Sequence, residues 1–149
     1  MAINTSKVIV GGLAAGVVLN VIDFIANGYI LGEAMRADAN ALSPGLGDAM
    51  AQPSGSMIAG YVIMNFLVGM LLVWTYAGFR PRFGPGVRTA MYVALIFFAF
   101  GLVLTTGYMH LGVMSSGTWI TYAAIWFINL LLATTLGAKL YSEDDTPAV

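Results

Sequence analysis

Residues 8–32, VIVGGLAAGVVLNVIDFIANGYILG, form an apolar run that is interrupted by a single charged side chain. About 20 apolar residues are enough for a helix to cross the ~30 Å hydrocarbon core of a membrane. Three further runs of comparable length follow, and together with the first they predict an all-α polytopic membrane protein built as a four-transmembrane-helix bundle. The predicted spans cover residues 8–32, 57–79, 89–114 and 118–140.

Composition agrees with this fold class and limits the chemistry. The chain has 149 residues, of which 59% are hydrophobic and 9% charged, and its mean hydropathy is +0.85. The segments outside the spans are too short for a second domain, so residues 1–149 are predicted to form one membrane domain. The chain has no cysteine, which excludes thiolate catalysis and iron–sulfur ligation. A net charge of -1 gives no basis for nucleic-acid binding.

Five residues of the first run fall on one narrow stripe: Gly12, Gly16, Asn20, Asp23 and Asn27. At ~100° per helical residue they cover an arc of about 80°. Asp23 is the only acidic residue inside any of the four runs. Because a carboxylate is costly in hydrocarbon, the stripe is expected to face protein or water rather than lipid.

Counting along the predicted spans gives two levels of polar residues. Asn65, Thr105 and Trp126 are expected near the depth of Asp23, and Asn20 and Asn129 are expected at a deeper level near the midplane. Two interpretations of Asp23 are open. In the first, Asp23 accepts hydrogen bonds from its neighbours and only fixes the bundle. In the second, it carries a proton or coordinates a cation along a polar route. The candidate intramembrane site comprises Asn20, Asp23, Asn27, Asn65, Thr105 and Asn129.

Small residues recur along all four spans. Lipid provides no hydrophobic force that brings helices together, so close backbone approach and interhelical hydrogen bonds must do so. The predicted helix-packing positions are Gly12, Gly16, Gly69, Gly101 and Gly137.

Basic residues predict the orientation. With four spans, Lys7, Lys139 and the three arginines of the 80–88 loop lie on one side, and Arg36 lies on the other. An excess of basic residues in short loops marks the cytoplasmic side. Both termini are therefore predicted to be cytoplasmic, with residues 33–56 as the outer loop. Residues 33–42 of that loop can extend the first helix.

The loop at residues 80–88, RPRFGPGVR, is predicted to be a tight cytoplasmic turn, because it has two prolines and two glycines. Its arginines, Arg80, Arg82 and Arg88, suit anionic lipid headgroups or an acidic partner.

The single histidine, His110, is expected near the outer boundary, in contact with headgroups or another subunit. Contact with a pigment or haem is the alternative, but a lone histidine does not define such a site, so no cofactor and no metal are expected. Four aromatic residues near the span ends are expected to form interfacial belts: Trp74, Tyr76, Trp119 and Tyr122.

Three segments carry a resemblance: GGLAAGVVLNVIDFIANGYILGE, VWTYAGFRPRFGPGVRTA and LATTLGAKLY. They resemble an uncharacterised family of small bacterial four-span integral membrane proteins. The resemblance covers nearly the whole chain and implies a bacterial inner-membrane protein. It implies no activity and no site residues.

Two functions remain open. The first is a non-enzymatic accessory or structural subunit of a bacterial membrane assembly or of a homo-oligomer, whose partners are the lipid bilayer and other subunits or copies of itself. The alternative is a small proton- or cation-linked transporter or channel that uses Asp23.

Overall fold

The computed structural model describes residues 3–142, and within that range the chain is almost entirely helical. The first helix, α1, continues into a π-helical segment (Ala26–Leu31) and then into α2 without a break. The α-helices are α1 (Thr5–Ile25), α2 (Gly32–Leu42), α3 (Leu46–Met50), α4 (Gly55–Phe83), α5 (Val87–His110) and α6 (Ser116–Leu140).

The protein is a multi-pass four-helix membrane bundle, as the sequence predicts. Four helical stretches of the described residues are long and apolar enough to cross a membrane: Thr5–Leu42, Gly55–Phe83, Val87–His110 and Ser116–Leu140. The first of these has 38 residues, which corresponds to about 57 Å at 1.5 Å per residue. Since this far exceeds a bilayer core, the charged helix α2 extends beyond the span.

Polar caps and glycines define where the helices begin and turn. The side-chain oxygens of Asn4, Ser54 and Ser115 accept hydrogen bonds from the first turns of α1, α4 and α6, which satisfies backbone donors that have no helical partner. Gly84 and Gly86 adopt φ values of 80° and 117°, a region that strongly favours glycine.

Two predicted boundaries differ from the structure. Helix α4 continues to Phe83 with Pro81 inside it, so the connection to α5 is three residues long rather than the predicted loop at 80–88. Helix α5 ends at His110, four residues before the predicted end of the third span. Gly112 is the reason, because its φ of 70° and the hydrogen bonds around it close a turn there.

In the bundle, α1 packs against both α4 and α6, while α5 packs mainly on α6 and more weakly on α4. The buried core draws on all four long helices, with Leu19 of α1, Leu72 of α4, Val93 of α5 and Leu130 of α6 in one cluster. The contacts of α4 change along its length. Its second half contributes five buried residues, whereas every residue from Gly55 to Met64 is exposed.

Glycines allow α1 to approach its two neighbours at backbone distance. A Cβ atom on Gly12 would lie 2.7 Å from the Cα of Met70, and one on Gly69 would lie 2.6 Å from the amide nitrogen of Gly16. On the other side of α1, Gly11 and Gly137 are in similar contact: a Cβ on Gly11 would lie 2.6 Å from the Gly137 carbonyl oxygen.

Gly101 of α5 serves a different purpose, because its missing side chain leaves room for the indole of Trp126 on α6. All five predicted packing glycines therefore lie at helix contacts. Gly11 was not among the predicted positions.

The four-helix topology collects five basic residues at one end of the molecule, which we call the basic end: Lys7, Arg80, Arg82, Arg88 and Lys139. Two hydrogen bonds join separate chain segments at this end. The hydroxyl of Tyr141 accepts from the backbone N–H of Asn4 (3.3 Å), and the buried Tyr76 hydroxyl accepts from the N–H of Gly86 (2.9 Å). The opposite end carries α2, α3 and the α5–α6 connection.

Candidate functional site

Asp23 lies at the centre of a hydrogen-bonded cluster that joins three helices. Its Oδ2 accepts a hydrogen bond from Nδ2 of Asn65 on α4 (2.9 Å), and its Oδ1 accepts one from Nδ2 of Asn129 on α6 (2.8 Å). Asn129 is fully buried and also approaches the backbone carbonyl of Leu19 at 3.4 Å. The carboxyl group of Asp23 therefore faces protein neighbours, and each of its oxygens has one amide donor.

Asn20 extends the cluster by one helical turn towards the basic end. Its Oδ1 accepts from the same Nδ2 of Asn65 at 3.2 Å, so Asn65 bridges Asn20 and Asp23. The Nδ2 of Asn20 donates to the Gly16 carbonyl on α1 (2.9 Å) and approaches the Val62 carbonyl on α4 (3.4 Å). Three carboxamides and one carboxyl group thus form a continuous polar contact between α1, α4 and α6.

The cluster lies well inside the span. Asn65 is ten residues from the start of α4 and Asn129 is thirteen residues from the start of α6, which corresponds to about 15–20 Å from the opposite end. Among residues 3–142, the acidic side chain that forms an ion pair is Asp48, which pairs with Arg36 on the surface of the opposite end. Asp23 therefore has hydrogen-bond donors but no cationic side chain as a partner in the described chain.

The π-helical segment begins three residues after Asp23. Asn27, in its first turn, is exposed and donates from Nδ2 to the backbone carbonyl of Asp23 (2.8 Å) rather than to its carboxylate. π-Helical turns within α-helices occur frequently at functional sites. Here the wider turn directly follows the carboxylate and carries three residues that line the cavity described next, Ala26, Asn27 and Leu31.

A cavity of about 230 Å³ lies against the cluster. Its polar wall contains Asp23 and Asn65, and its aromatic wall contains Tyr122 and Trp126, whose rings stack with centroids 6.1 Å apart and planes inclined by 25°. The remaining lining residues are Ala26, Asn27, Leu31 and Ile125. An intramembrane carboxyl group thus borders a space that is large enough for a small molecule.

Thr105 lies apart from the cluster. Its hydroxyl lies 2.9 Å from the Gly101 carbonyl and 3.3 Å from the Leu102 carbonyl of its own helix. The hydroxyl group of a threonine within a helix commonly bonds to the preceding turn in this way. Of the six predicted polar residues, four are joined through side chains: Asn20, Asp23, Asn65 and Asn129. Asn27 bonds to the Asp23 backbone, and the Thr105 hydroxyl bonds within its own helix.

Two of the four aromatic residues expected in interfacial belts are placed elsewhere. Tyr76 is 2% exposed in the core, and Tyr122 is half-buried at the cavity. Their positions near the span ends suggested an interfacial role, but they point towards neighbouring helices. A residue of an interfacial belt lies near the membrane surface and also points its side chain outward. The sequence indicated the depth of these residues but not the direction of their side chains.

The predicted headgroup residues differ in exposure. Arg82 and Arg88 are exposed, and the guanidinium of Arg88 lies 5.7 Å from the centre of the Tyr92 ring while its Nε donates to the Tyr92 hydroxyl. Arg80 is half-buried against the ring of Tyr141, so it also packs within the basic end. His110 is exposed, with Nδ1 3.1 Å from the Thr106 carbonyl.

Asp38 has a role that sequence reasoning missed. Its carboxylate accepts the backbone N–H of Ser115 (3.0 Å), the N-cap residue of α6. Desolvation raises the pKa of Asp38, but the hydrogen bonds from the Ser115 backbone and from the Thr118 and Ser115 side chains outweigh it. The pKa therefore lies below its ordinary value of 3.8. The 77 residues between the two partners leave no local sequence signal for this contact.

Among residues 3–142 no group of three or more His, Cys, Asp or Glu side chains could hold a metal ion. Comparison of the chain with protein-family models, with curated proteins and with solved structures finds no match.

Proposed function

We propose that this chain is a small, non-enzymatic membrane protein that binds a proton or a monovalent cation at Asp23 and moves it across the bacterial inner membrane. The observation that carries the proposal is the position of the Asp23 carboxyl group, which borders a cavity inside the span and has no cationic side chain beside it in the described residues. Ionisable residues inside membrane proteins commonly mark ion and proton pathways.

The hydrogen bonds support ion binding rather than a purely structural role. Asn65 and Asn129 occupy one acceptor site on each carboxylate oxygen, and an ionised carboxylate has about four such sites. Acceptor capacity is therefore left for an ion. A structural hydrogen-bond anchor needs no adjoining cavity, whereas an exchange site needs space from which the ion can arrive.

The direct experiment is a flux assay in proteoliposomes, with proton, Na⁺, K⁺ and tetraethylammonium gradients imposed in turn. The Asp23→Asn variant keeps a carboxamide whose oxygen can accept from one of Asn65 and Asn129, but it cannot carry a negative charge. We expect flux of at least one of these ions from the native chain and none from Asp23→Asn. The matched control is Asp48→Asn at the opposite end, which should retain native flux. Equal flux from native chain and Asp23→Asn, or no flux from the native chain, contradicts the proposal.

A second candidate function is that of an accessory subunit, packed against another membrane protein or against a second copy of the chain. The observation in its favour is that every residue from Gly55 to Met64 of α4 is exposed, although the second half of the same helix is buried in the bundle. These residues are mostly apolar, so they suit either lipid or another helix.

Because the chain has no cysteine, single cysteines can test the second candidate. Ile63→Cys lies on the exposed half of α4, and Leu95→Cys is a comparably apolar, exposed control on α5. If this half of α4 is an interface, Ile63→Cys should form cross-links in native membranes and Leu95→Cys should not. Equal cross-linking of both variants, or of neither, counts against the interface.

We further propose that the basic end faces the cytoplasm, as the positive-inside rule predicts from its five basic residues. Labelling of Val87→Cys, at the exposed start of α5, and of Gly55→Cys with a membrane-impermeant thiol reagent tests this orientation. In intact cells only the second variant should react, and reaction of the first would reverse the assignment.

A further inference from the structure

We infer that the cavity beside Asp23 is a binding site for a small organic cation, specifically an alkylammonium ion rather than a bare metal ion. This inference rests on the proposed function and specifies the ligand of the same site. It depends on three observations: the size of the cavity, the character of its walls and the charge of Asp23.

The size of the cavity favours an organic ion over a bare inorganic ion as the ligand. A cavity of about 150 Å³ is enough to bind benzene, and one water molecule occupies about 30 Å³ of liquid. The cavity beside Asp23 measures about 230 Å³. A dehydrated Na⁺ or K⁺ would contact only a small part of such a wall, whereas an ion with several alkyl carbons would fill it.

The walls match the two properties of an alkylammonium ion. In its ionised form Asp23 supplies the negative charge, and Asn27 and Asn65 supply polar contacts. The stacked rings of Tyr122 and Trp126, which also line the cavity, add aromatic surface. Such a surface attracts cations through the ring quadrupole and also covers their alkyl groups. Leu31 and Ile125 complete the apolar part of the lining.

This arrangement of side chains is less suited to the coordination of a bare metal ion. Na⁺ and K⁺ need several oxygen ligands around one point, because these must replace the hydration shell. Asn65 and Asn129 direct amide N–H groups, not oxygens, at the Asp23 carboxylate. Donors in these positions stabilise the carboxylate but do not coordinate a metal.

Equilibrium binding of tetraethylammonium to the purified full chain in detergent tests the inference, with Na⁺ and K⁺ as comparison ions. Isothermal titration calorimetry is the measurement. We expect saturable binding of tetraethylammonium to the native chain and none to Asp23→Asn. Asp48→Asn, which changes an exposed carboxylate of the opposite end, should bind as the native chain does.

Variants of Tyr122 separate the aromatic wall from the charge. Tyr122→Phe keeps the ring and removes only the hydroxyl, so it should bind more tightly than Tyr122→Leu. Tyr122→Leu removes the ring and should weaken binding roughly fivefold to thirtyfold, the range from an exposed to a desolvated cation–π contact. Circular dichroism and elution volume of each variant show whether the bundle is intact. A folded Tyr122→Leu with native affinity overturns the aromatic contribution.

The outcomes distinguish this inference from the function on which it rests. Proton, Na⁺ or K⁺ flux that depends on Asp23, together with no binding of tetraethylammonium, overturns the organic ligand and leaves the proposed function standing. Binding of tetraethylammonium that depends on Asp23, without any flux, supports the ligand and contradicts transport. Binding that survives Asp23→Asn overturns the site.

Discussion

The carboxyl group of Asp23 shows how one side chain inside a membrane span can be satisfied without an ion pair. Two amide donors from different helices meet its two oxygens at 2.8 and 2.9 Å. Amide donors compensate part of the lost hydration without adding a positive charge that would neutralise a carboxylate. The residue is thereby held in the bundle, and it can still interact with a cation.

The hydrogen bond from Asn129 to Asp23 can be tested by its effect on stability. Asn129→Leu removes the donor to Asp23 Oδ1, which destabilises the bundle. It also removes the buried Asn129 Oδ1, which has no hydrogen-bond partner among the described residues, and this partly offsets the loss. We therefore expect the free energy of unfolding to fall by about 1 kcal/mol, within the range for interhelical hydrogen bonds in membranes.

The measurement for Asn129→Leu is steric trapping in bicelles. Asn27→Leu is the matched control, because the Asn27 amide is exposed and bonds only within its own helical turn, and it should change stability by less than about 0.5 kcal/mol. A larger effect at Asn27 than at Asn129 would mean that the cluster does not hold the helices together.

Sequence reasoning located most of this cluster but not its connections. The helical periodicity placed Asn20 and Asp23 on one face, and the cost of a charge in lipid required that face to point inward. Which residues would meet Asp23 depended on rotation and depth of the other helices, and neither is fixed by periodicity within one helix. Thr105 was expected near the depth of Asp23, but its hydroxyl bonds to the preceding turn of α5.

At the level of helices, the α1–α4 contact depends on glycines whose missing side chains let two backbones touch. Gly69→Ala would place a methyl group against the Gly12 carbonyl and 2.6 Å from the Gly16 nitrogen. Because these atoms are backbone, the helices must move apart, and we expect a loss of about 1–3 kcal/mol in the free energy of unfolding.

Gly78→Ala is the control on the same helix, since a Cβ there would meet nothing within 4 Å. Alanine is preferred over glycine in helices, so this variant should be neutral or more stable by up to about 1 kcal/mol. Thermal unfolding in detergent compares the two variants. Equal effects would show that α1 and α4 do not require close approach at Gly69.

The four spans and their packing stripes were predictable because hydropathy and small-residue spacing are properties of each segment by itself. The ends were less predictable. The prolines and glycines of residues 80–88 indicated a turn, but Pro81 is accommodated within α4 and only Gly84 and Gly86 adopt positive φ. The π-helical segment had no signal in the sequence that we could identify.

For the whole molecule, Asp38 links distant parts of the opposite end by accepting the N–H of Ser115. Because the pKa of Asp38 is lowered in the folded protein, its contribution is present above the ordinary value of 3.8 and is lost as pH falls through the lowered pKa. Hydrogen exchange at the Ser115 amide should therefore be protected above pH 3.8, apart from the intrinsic pH dependence of exchange.

The Asp38→Ala variant should lose this protection across the whole pH range. Asp48→Ala is the control, because Asp48 pairs with Arg36 and not with α6. It should leave the Ser115 amide protected. Native protection in Asp38→Ala would show that the carboxylate does not cap α6.

The wide helical turn from Ala26 to Leu31 has a consequence for how this chain tolerates change in length. A π-turn holds one residue more than an α-turn, so loss of a single residue here could be absorbed by tightening the coil rather than by breaking it. Because the tightened turn takes up the missing residue, everything beyond that point would keep its orientation about the axis. Asp38 would still face Ser115, whereas the same deletion in the α-helical part of α1 would rotate the far end by about 100° and separate it from α6.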